Sequence, residues 1–114
     1  MDFTEYQKLA IRTDTFGGKP QPIDSHAFLA QLLGLVGEAG EIAEKFKKIY
    51  RDQAGVMTPE NEKNMVKELG DVLWYVSVVC TYLGISLQEV AELNIEKLQD
   101  RMKRDKLKGS GDNR

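Results

Sequence analysis

Two short acidic motifs contain the residues of this sequence whose types and spacing could do chemistry. Glu38 and Glu41 lie three positions apart, and Glu68 and Asp71 repeat that spacing. Side chains three positions apart share one face of a helix. If the two helices pack antiparallel, the four carboxylates face one another, and they repel unless a cation lies between them. The pattern therefore predicts a metal site formed by these four residues.

The chemistry of the donors indicates which metal would bind. The only histidine, His26, lies outside both motifs, and the single cysteine excludes a Cys/His zinc cluster. A set of carboxylate oxygens suits a hard ion, Mg²⁺ or Mn²⁺. Magnesium held by carboxylates usually shares its coordination sphere with substrate phosphates, so we expect a phosphate ester as the ligand.

A second group of polar residues lies where apolar ones would be expected. Asn94, Lys97 and Arg101 continue the stripe that Leu87 and Val90 begin. Cations at these positions could hold phosphate oxygens that the metal does not reach. In the alternative interpretation these residues are solvated or form surface ion pairs, and the acidic pairs are ordinary helix surface.

The elements that must position these residues are helices separated by short breaks. Capping residues, glycine and proline mark the boundaries. Lys45, Lys47, Lys48 and Arg51 fit the negative end of the second helix dipole. We predict an all-α bundle of about four helices in a single domain, residues 1–108, followed by a disordered polar tail, residues 109–114. The predicted helices begin at Asp2, at about Ser25, at Thr58 and at Ser86, and the last three end at about Arg51, at Gly84 and at about Leu107.

Composition narrows the function classes. A length of 114 residues fits one domain, and a net charge of −2 gives no global basic footprint for nucleic acid. The lone Cys80 fits a reducing compartment, and the N-terminus carries no signal peptide pattern, so we expect a cytoplasmic protein. The segment Val72–Leu83 is too short to span a bilayer. Because it is apolar almost all round, it predicts oligomerisation.

The segments Leu35–Glu44 and Glu68–Tyr75 resemble the MazG-type all-α nucleoside triphosphate pyrophosphohydrolases. That superfamily carries Glu-x-x-Glu, a spacer and then Glu-x-x-Asp, and the resemblance extends over roughly residues 25–101. Many members have a further acid where this chain has Gly37. Glycine at that position resembles the dCTP pyrophosphatase-like branch, and it leaves open whether Glu44 joins the site.

The resemblance implies a bundle assembled as a homodimer or a dimer of dimers. It implies cleavage of the α–β phosphoanhydride of a nucleoside triphosphate, giving the monophosphate and pyrophosphate, in cleansing of the nucleotide pool. Glu38, Glu41, Glu68 and Asp71 would hold Mg²⁺, and Glu41 would act as the general base. The residues implied in substrate binding are Asn94, Lys97 and Arg101 at the phosphates and His26, Phe28, Gln31, Trp74 and Tyr75 at the base.

Two other functions remain open at this point. A phosphoribosyl-ATP pyrophosphohydrolase of histidine biosynthesis would use the same acidic motifs. A helical oligomerisation module without catalysis would use Val72–Leu83 as its interface and would leave the acids on the surface. The sequence also leaves open the preferred base and sugar, the number of metal ions, and the choice between dimer and tetramer.

Overall fold

The computed structural model describes residues 1–114 and contains four α-helices and no strand, which confirms the predicted all-α class. A short 3₁₀ turn, Ile11–Thr13, extends the first helix. The helices are α1 (Phe3–Ala10), α2 (His26–Asp52), α3 (Pro59–Tyr82) and α4 (Leu87–Lys103).

Each helix begins at the capping residue that the sequence predicts. The side-chain oxygen of each cap accepts a backbone N–H three residues later, which satisfies one of the free donors of the first turn. The α3 helix ends at the predicted stop, where Gly84 adopts a φ of 69°. The four capping bonds run to Asp2 from Glu5 (2.8 Å), to Ser25 from Phe28 (3.2 Å), to Thr58 from Asn61 (3.1 Å) and to Ser86 from Glu89 (3.2 Å).

The end of α4 differs from the prediction. The helix stops at Lys103 rather than near Leu107, because Asp105 adopts a left-handed backbone conformation with a φ of 55°. The N–H of Lys106 then donates to the carbonyl of Arg101 at 2.7 Å, a Schellman closure that usually contains glycine. The sequence offered glycine only further on, at Gly109, so the prediction ran too long.

The α3 helix lies at the centre of the packing, and α2 and α4 do not contact each other. The α2 helix lies antiparallel along α3, whereas α1 and α4 pack against α3 and against each other, and α4 makes no contact with α2. Gln7 of α1 forms two hydrogen bonds with the α3–α4 turn. Its amide donates to the Ile85 carbonyl at 2.9 Å and accepts from the Leu87 N–H at 2.9 Å. The buried core cluster joins α2 to α3 and consists of Ala27, Phe28, Val78 and Tyr82.

A buried polar network fastens the loop after α1 to this core. The Asp14 carboxylate accepts hydrogen bonds from the Tyr82 hydroxyl at 2.7 Å and from the Gln31 amide at 3.0 Å. All three residues are buried. Burial, and then the hydrogen bond to Asp14, raise the pKa of Tyr82 to about 12. A carboxylate removed from water needs such donors, so the network fixes how the loop enters the core.

We expect Tyr82→Phe to destabilise the protein by about 1.5–3 kcal/mol at neutral pH, the usual range for a hydrogen bond to a charged group. A tyrosine in the unfolded chain titrates near pH 10. Because the folded chain holds this proton up to about pH 12, wild-type stability should fall as the pH rises through that interval. Urea denaturation of the wild type and the variant at several pH values measures both effects.

The matched control is Tyr50→Phe, at an exposed tyrosine on α2. This variant should unfold like the wild type at every pH. If Tyr82→Phe also unfolded like the wild type, the network would contribute nothing to stability.

Candidate metal centre

Three of the four predicted metal ligands come together between α2 and α3. Glu38 on α2 faces Glu68 and Asp71 on α3, and one carboxylate oxygen from each lies within 4.8 Å of the other two. The i, i+3 spacing places the two α3 acids on one face, and the antiparallel packing brings Glu38 opposite them. This set of oxygen donors fits a hard divalent cation.

The electrostatics of the cluster favour a cation. Partial burial, and then the negative charge of Asp71 and contact with Glu68, raise the pKa of Glu38 above its usual range. A carboxylate whose charge is disfavoured by like neighbours gains most from a positive ion placed between them. Glu38 and Glu68 are half-buried and Asp71 is exposed, so the cluster opens to solvent on the Asp71 side.

Glu41 lies outside this trio. It is exposed, one turn further along α2, and it lines a cleft between α2 and α3. Glu44 lines the same cleft and its carboxylate pairs with Lys47 at 3.0 Å. Metal coordination by Glu41 therefore stays a prediction, and so does the question of whether Glu44 joins the site.

Two residues near the cluster were not predicted as part of the site. The Lys45 ammonium lies 2.9 Å from Oε1 of Glu68, and this ion pair raises the pKa of Lys45. Tyr6 of α1 is half-buried, and its pKa is raised by burial and by the charge of Asp71. The available sequence signal for Lys45 was its position four residues after Glu41, on the same helical face.

The predicted phosphate-binding residues of α4 form no hydrogen bond or ion pair with the carboxylate trio within one chain. Asn94 is exposed. Lys97 and the buried Arg101 both donate to the carboxylate of Asp112 in the C-terminal tail, at 2.8 and 3.1 Å. Their role at the phosphates stays a prediction.

The predicted base-contacting residues fall into two groups. Phe28 packs on Tyr82 in the core, Gln31 is buried against Asp14, and His26 is exposed at the start of α2. Trp74 and Tyr75 lie one turn beyond Asp71 on α3, with their rings edge to face at 4.9 Å. The Trp74 indole N–H donates to the Thr13 hydroxyl at 2.7 Å. Only the second group lies close along the helix to the carboxylate trio.

None of the four helices alone combines the length and apolarity that crossing a membrane requires; α3 and α4 meet the criterion only jointly, with a bend of 106° between them.

Comparison with known proteins identifies the family of this chain. The family model of the MazG nucleotide pyrophosphohydrolase domain matches residues 26–104. The Gene 37 protein of Mycobacterium phage L5 is 54% identical over 82 residues, which cover 72% of each chain. The uncharacterized protein YpjD of Bacillus subtilis strain 168 is 33% identical over 75 residues, 66% of this chain and 67% of YpjD. No solved structure matches significantly. The matched segment contains both acidic motifs, and the chain belongs to the MazG nucleotide pyrophosphohydrolase domain family.

Proposed function

We propose that this protein is a Mg²⁺-dependent nucleoside triphosphate pyrophosphohydrolase. The observation that carries the proposal is the meeting of Glu38, Glu68 and Asp71 across the α2–α3 seam. Membership of the family supports hydrolysis of the α–β phosphoanhydride, which releases a nucleoside monophosphate and pyrophosphate.

The residues of the site have different parts in this reaction. The three clustered carboxylates would hold the metal, Mg²⁺ or Mn²⁺, which would supply charge stabilisation at the phosphates and at the attacking water. Glu41 is exposed and adjacent to the trio. A carboxylate that is not fully used as a ligand keeps a free oxygen, so we assign Glu41 as the base that accepts the proton from water.

We further propose that the active form is a homodimer or homotetramer. Only 13 of the 114 residues are buried in one chain, too few for a domain that carries so many large apolar side chains. A second copy packed on this surface would also bring Asn94, Lys97 and Arg101 of one chain to the phosphates at the other. The large apolar residues exposed on α2 include Leu29, Leu32, Leu33 and Val36, and those on α4 include Leu93, Ile95 and Met102.

The substrates we propose are deoxyribonucleoside triphosphates, removed to keep the nucleotide pool clean. Glycine at position 37 supports a dCTP pyrophosphatase-like specificity. Trp74 and Tyr75, one turn from Asp71, are the aromatic surfaces against which a base could stack. His26, Phe28 and Gln31, at the start of α2, are the other residues we propose for recognition of the base.

The test is incubation of the purified protein with Mg²⁺ and a panel of ribo- and deoxyribonucleoside triphosphates, with products identified by ion-exchange chromatography. We expect monophosphate and pyrophosphate. Glu41→Gln should lower kcat by about a hundredfold or more, the usual contribution of a general base. Glu96→Gln, at an exposed acid on α4 with no ion-pair partner, is the matched control and should keep full activity.

Other products would identify the alternatives. Diphosphate and inorganic phosphate would contradict the assigned bond. Turnover of phosphoribosyl-ATP alone would favour the histidine-biosynthesis reaction. Complete inactivity towards every substrate would favour the non-catalytic oligomerisation module.

A further inference from the structure

Lys45 forms the only ion pair that joins two different helices of this protein. Its ammonium lies 2.9 Å from Oε1 of Glu68, with 36% and 16% of the two side chains exposed. The other ion pairs lie within α2, between α4 and the residue that follows it, or between α4 and the tail. Lys45 therefore supplies the carboxylate trio with a cation from the chain itself.

A divalent ion bound by the trio and the Lys45 ammonium would compete for the same carboxylate. Oε1 of Glu68 faces Lys45, while the oxygens of Glu38, Glu68 and Asp71 converge within 4.8 Å. Two cations that share one carboxylate repel each other, so metal binding weakens the ion pair between Lys45 and Glu68. The flexible lysine stem then lets the ammonium move to another anion nearby.

The Lys45 ammonium could move into the cleft between the C-terminal half of α2 and the N-terminal half of α3. The cleft has a volume of about 320 Å³, within the usual range for small-ligand sites. Most of its wall is polar, and Glu41 lies at the end nearest the trio. Its lining includes Lys45, Lys48, Gln53, Asn61 and Asn64.

The charges in this cleft suit an anion that arrives with a metal. Three acids line it: Glu44 pairs with Lys47 at 3.0 Å, and Asp52 pairs with Arg51 at 2.7 Å. The third, Glu41, has no ion-pair partner and lies at the end nearest the trio, where a bound metal would offset its charge. Lys48 lines the cleft without an ion-pair partner. Ammonium and side-chain amide groups are donors that bind phosphate oxygens.

We propose that Lys45 exchanges between two anions during the reaction cycle. It neutralises Glu68 before metal binds, and it then binds the leaving pyrophosphate in the cleft beside Lys48. This inference rests on the proposed function, since it names the subsite for one product of that reaction. No covalent step is added, because Lys45 only changes its ionic partner.

The first test measures Mn²⁺ binding without nucleotide, by electron paramagnetic resonance, in wild type and Lys45→Met. Methionine keeps the length of the stem and removes the charge. Because the internal competitor is gone, Lys45→Met should bind Mn²⁺ about three- to tenfold more tightly than wild type. Lys45→Arg keeps the charge and should bind Mn²⁺ like wild type. An affinity that is unchanged or weaker in Lys45→Met would overturn the proposal.

The second test measures inorganic pyrophosphate as a product inhibitor in the presence of Mg²⁺. Lys45→Met should require about three- to tenfold more pyrophosphate for half-inhibition, because a charged contact to the product is lost. The matched control is Lys8→Met, which removes the same charge from an exposed lysine of α1 that has no ion-pair partner. Because α1 makes no contact with α2, Lys8→Met should match wild type in both tests. Equal inhibition of Lys45→Met and wild type would also overturn the proposal.

The two tests separate this inference from the proposed function. If wild type binds Mn²⁺ and hydrolyses nucleotides while Lys45→Met behaves like Lys8→Met, only the role of Lys45 is wrong. If wild type neither binds Mn²⁺ nor releases pyrophosphate, both are wrong. Circular dichroism of Lys45→Met, compared with wild type, verifies that the variant keeps its helical content.

Discussion

Replacing Asp71 with asparagine is expected to lower nucleotide hydrolysis by at least about a hundredfold while raising the thermal stability of the metal-free protein. The first effect follows because an amide is a poor substitute for a carboxylate ligand of Mg²⁺. The second follows because Asp71 has no ion-pair partner and its negative charge contributes to the raised pKa of Glu38. Removing that charge relieves repulsion within the trio.

The measurement is the Tm of wild type and Asp71→Asn, each with and without Mg²⁺ and nucleotide. Ligands that bind only the folded state raise the Tm, so Mg²⁺ with nucleotide should stabilise wild type and leave the variant nearly unchanged. Asp105→Asn is the matched control, because it removes one charge at the end of α4 at a left-handed position that asparagine tolerates. It should respond to Mg²⁺ like wild type. A wild-type Tm that Mg²⁺ and nucleotide leave unmoved would contradict the metal site itself.

The beginnings of the helices could be predicted because their signals are local. A capping side chain and the N–H that it satisfies lie three residues apart, as for Ser86 and Glu89. The end of α4 could not be predicted, because Asp105 takes a conformation in which glycine is the common residue. The left-handed turn depends on closure of the last turn around Arg101 rather than on the residue type alone.

The candidate site was also predictable only in part. The trio of Glu38, Glu68 and Asp71 could be predicted, since helical spacing determines which acids share a face and antiparallel packing brings the faces together. The contacts of Lys45 and Tyr6 could not, because each depends on the position of one helix relative to another. The ion pair from Lys45 to Glu68 requires a particular register between α2 and α3.

The packing of α3 on α2 includes a close approach at a glycine whose role the sequence did not reveal. A Cβ atom built on Gly34 would lie 2.2 Å from Cε1 of Tyr75. The absence of a side chain thus lets the Tyr75 ring lie directly on the backbone of α2. Glycine costs helix stability, so its place here is explained by the close approach rather than by the helix.

We therefore expect Gly34→Ala to lower the free energy of unfolding, because it disturbs the α2–α3 packing that positions the metal ligands. The new methyl group must displace the Tyr75 ring, and such overpacking costs about 1–3 kcal/mol. Gly37→Ala and Gly40→Ala are matched controls on the same helix, because a Cβ at either position meets nothing within 4 Å. Each control should gain up to about 1 kcal/mol from the better helix propensity of alanine. Urea denaturation of the three variants measures the difference.

A double-mutant cycle assigns the cost to the contact itself. In the background of Tyr75→Ala the ring is gone, so adding Gly34→Ala should no longer destabilise the protein and should give the same small gain as Gly37→Ala. If Gly34→Ala were as costly without the ring as with it, the close approach would not be the reason for glycine. Because Tyr75 lies one turn from Asp71 on α3, a displaced ring should also weaken Mg²⁺ binding in Gly34→Ala, which Mn²⁺ titration of the same variants measures.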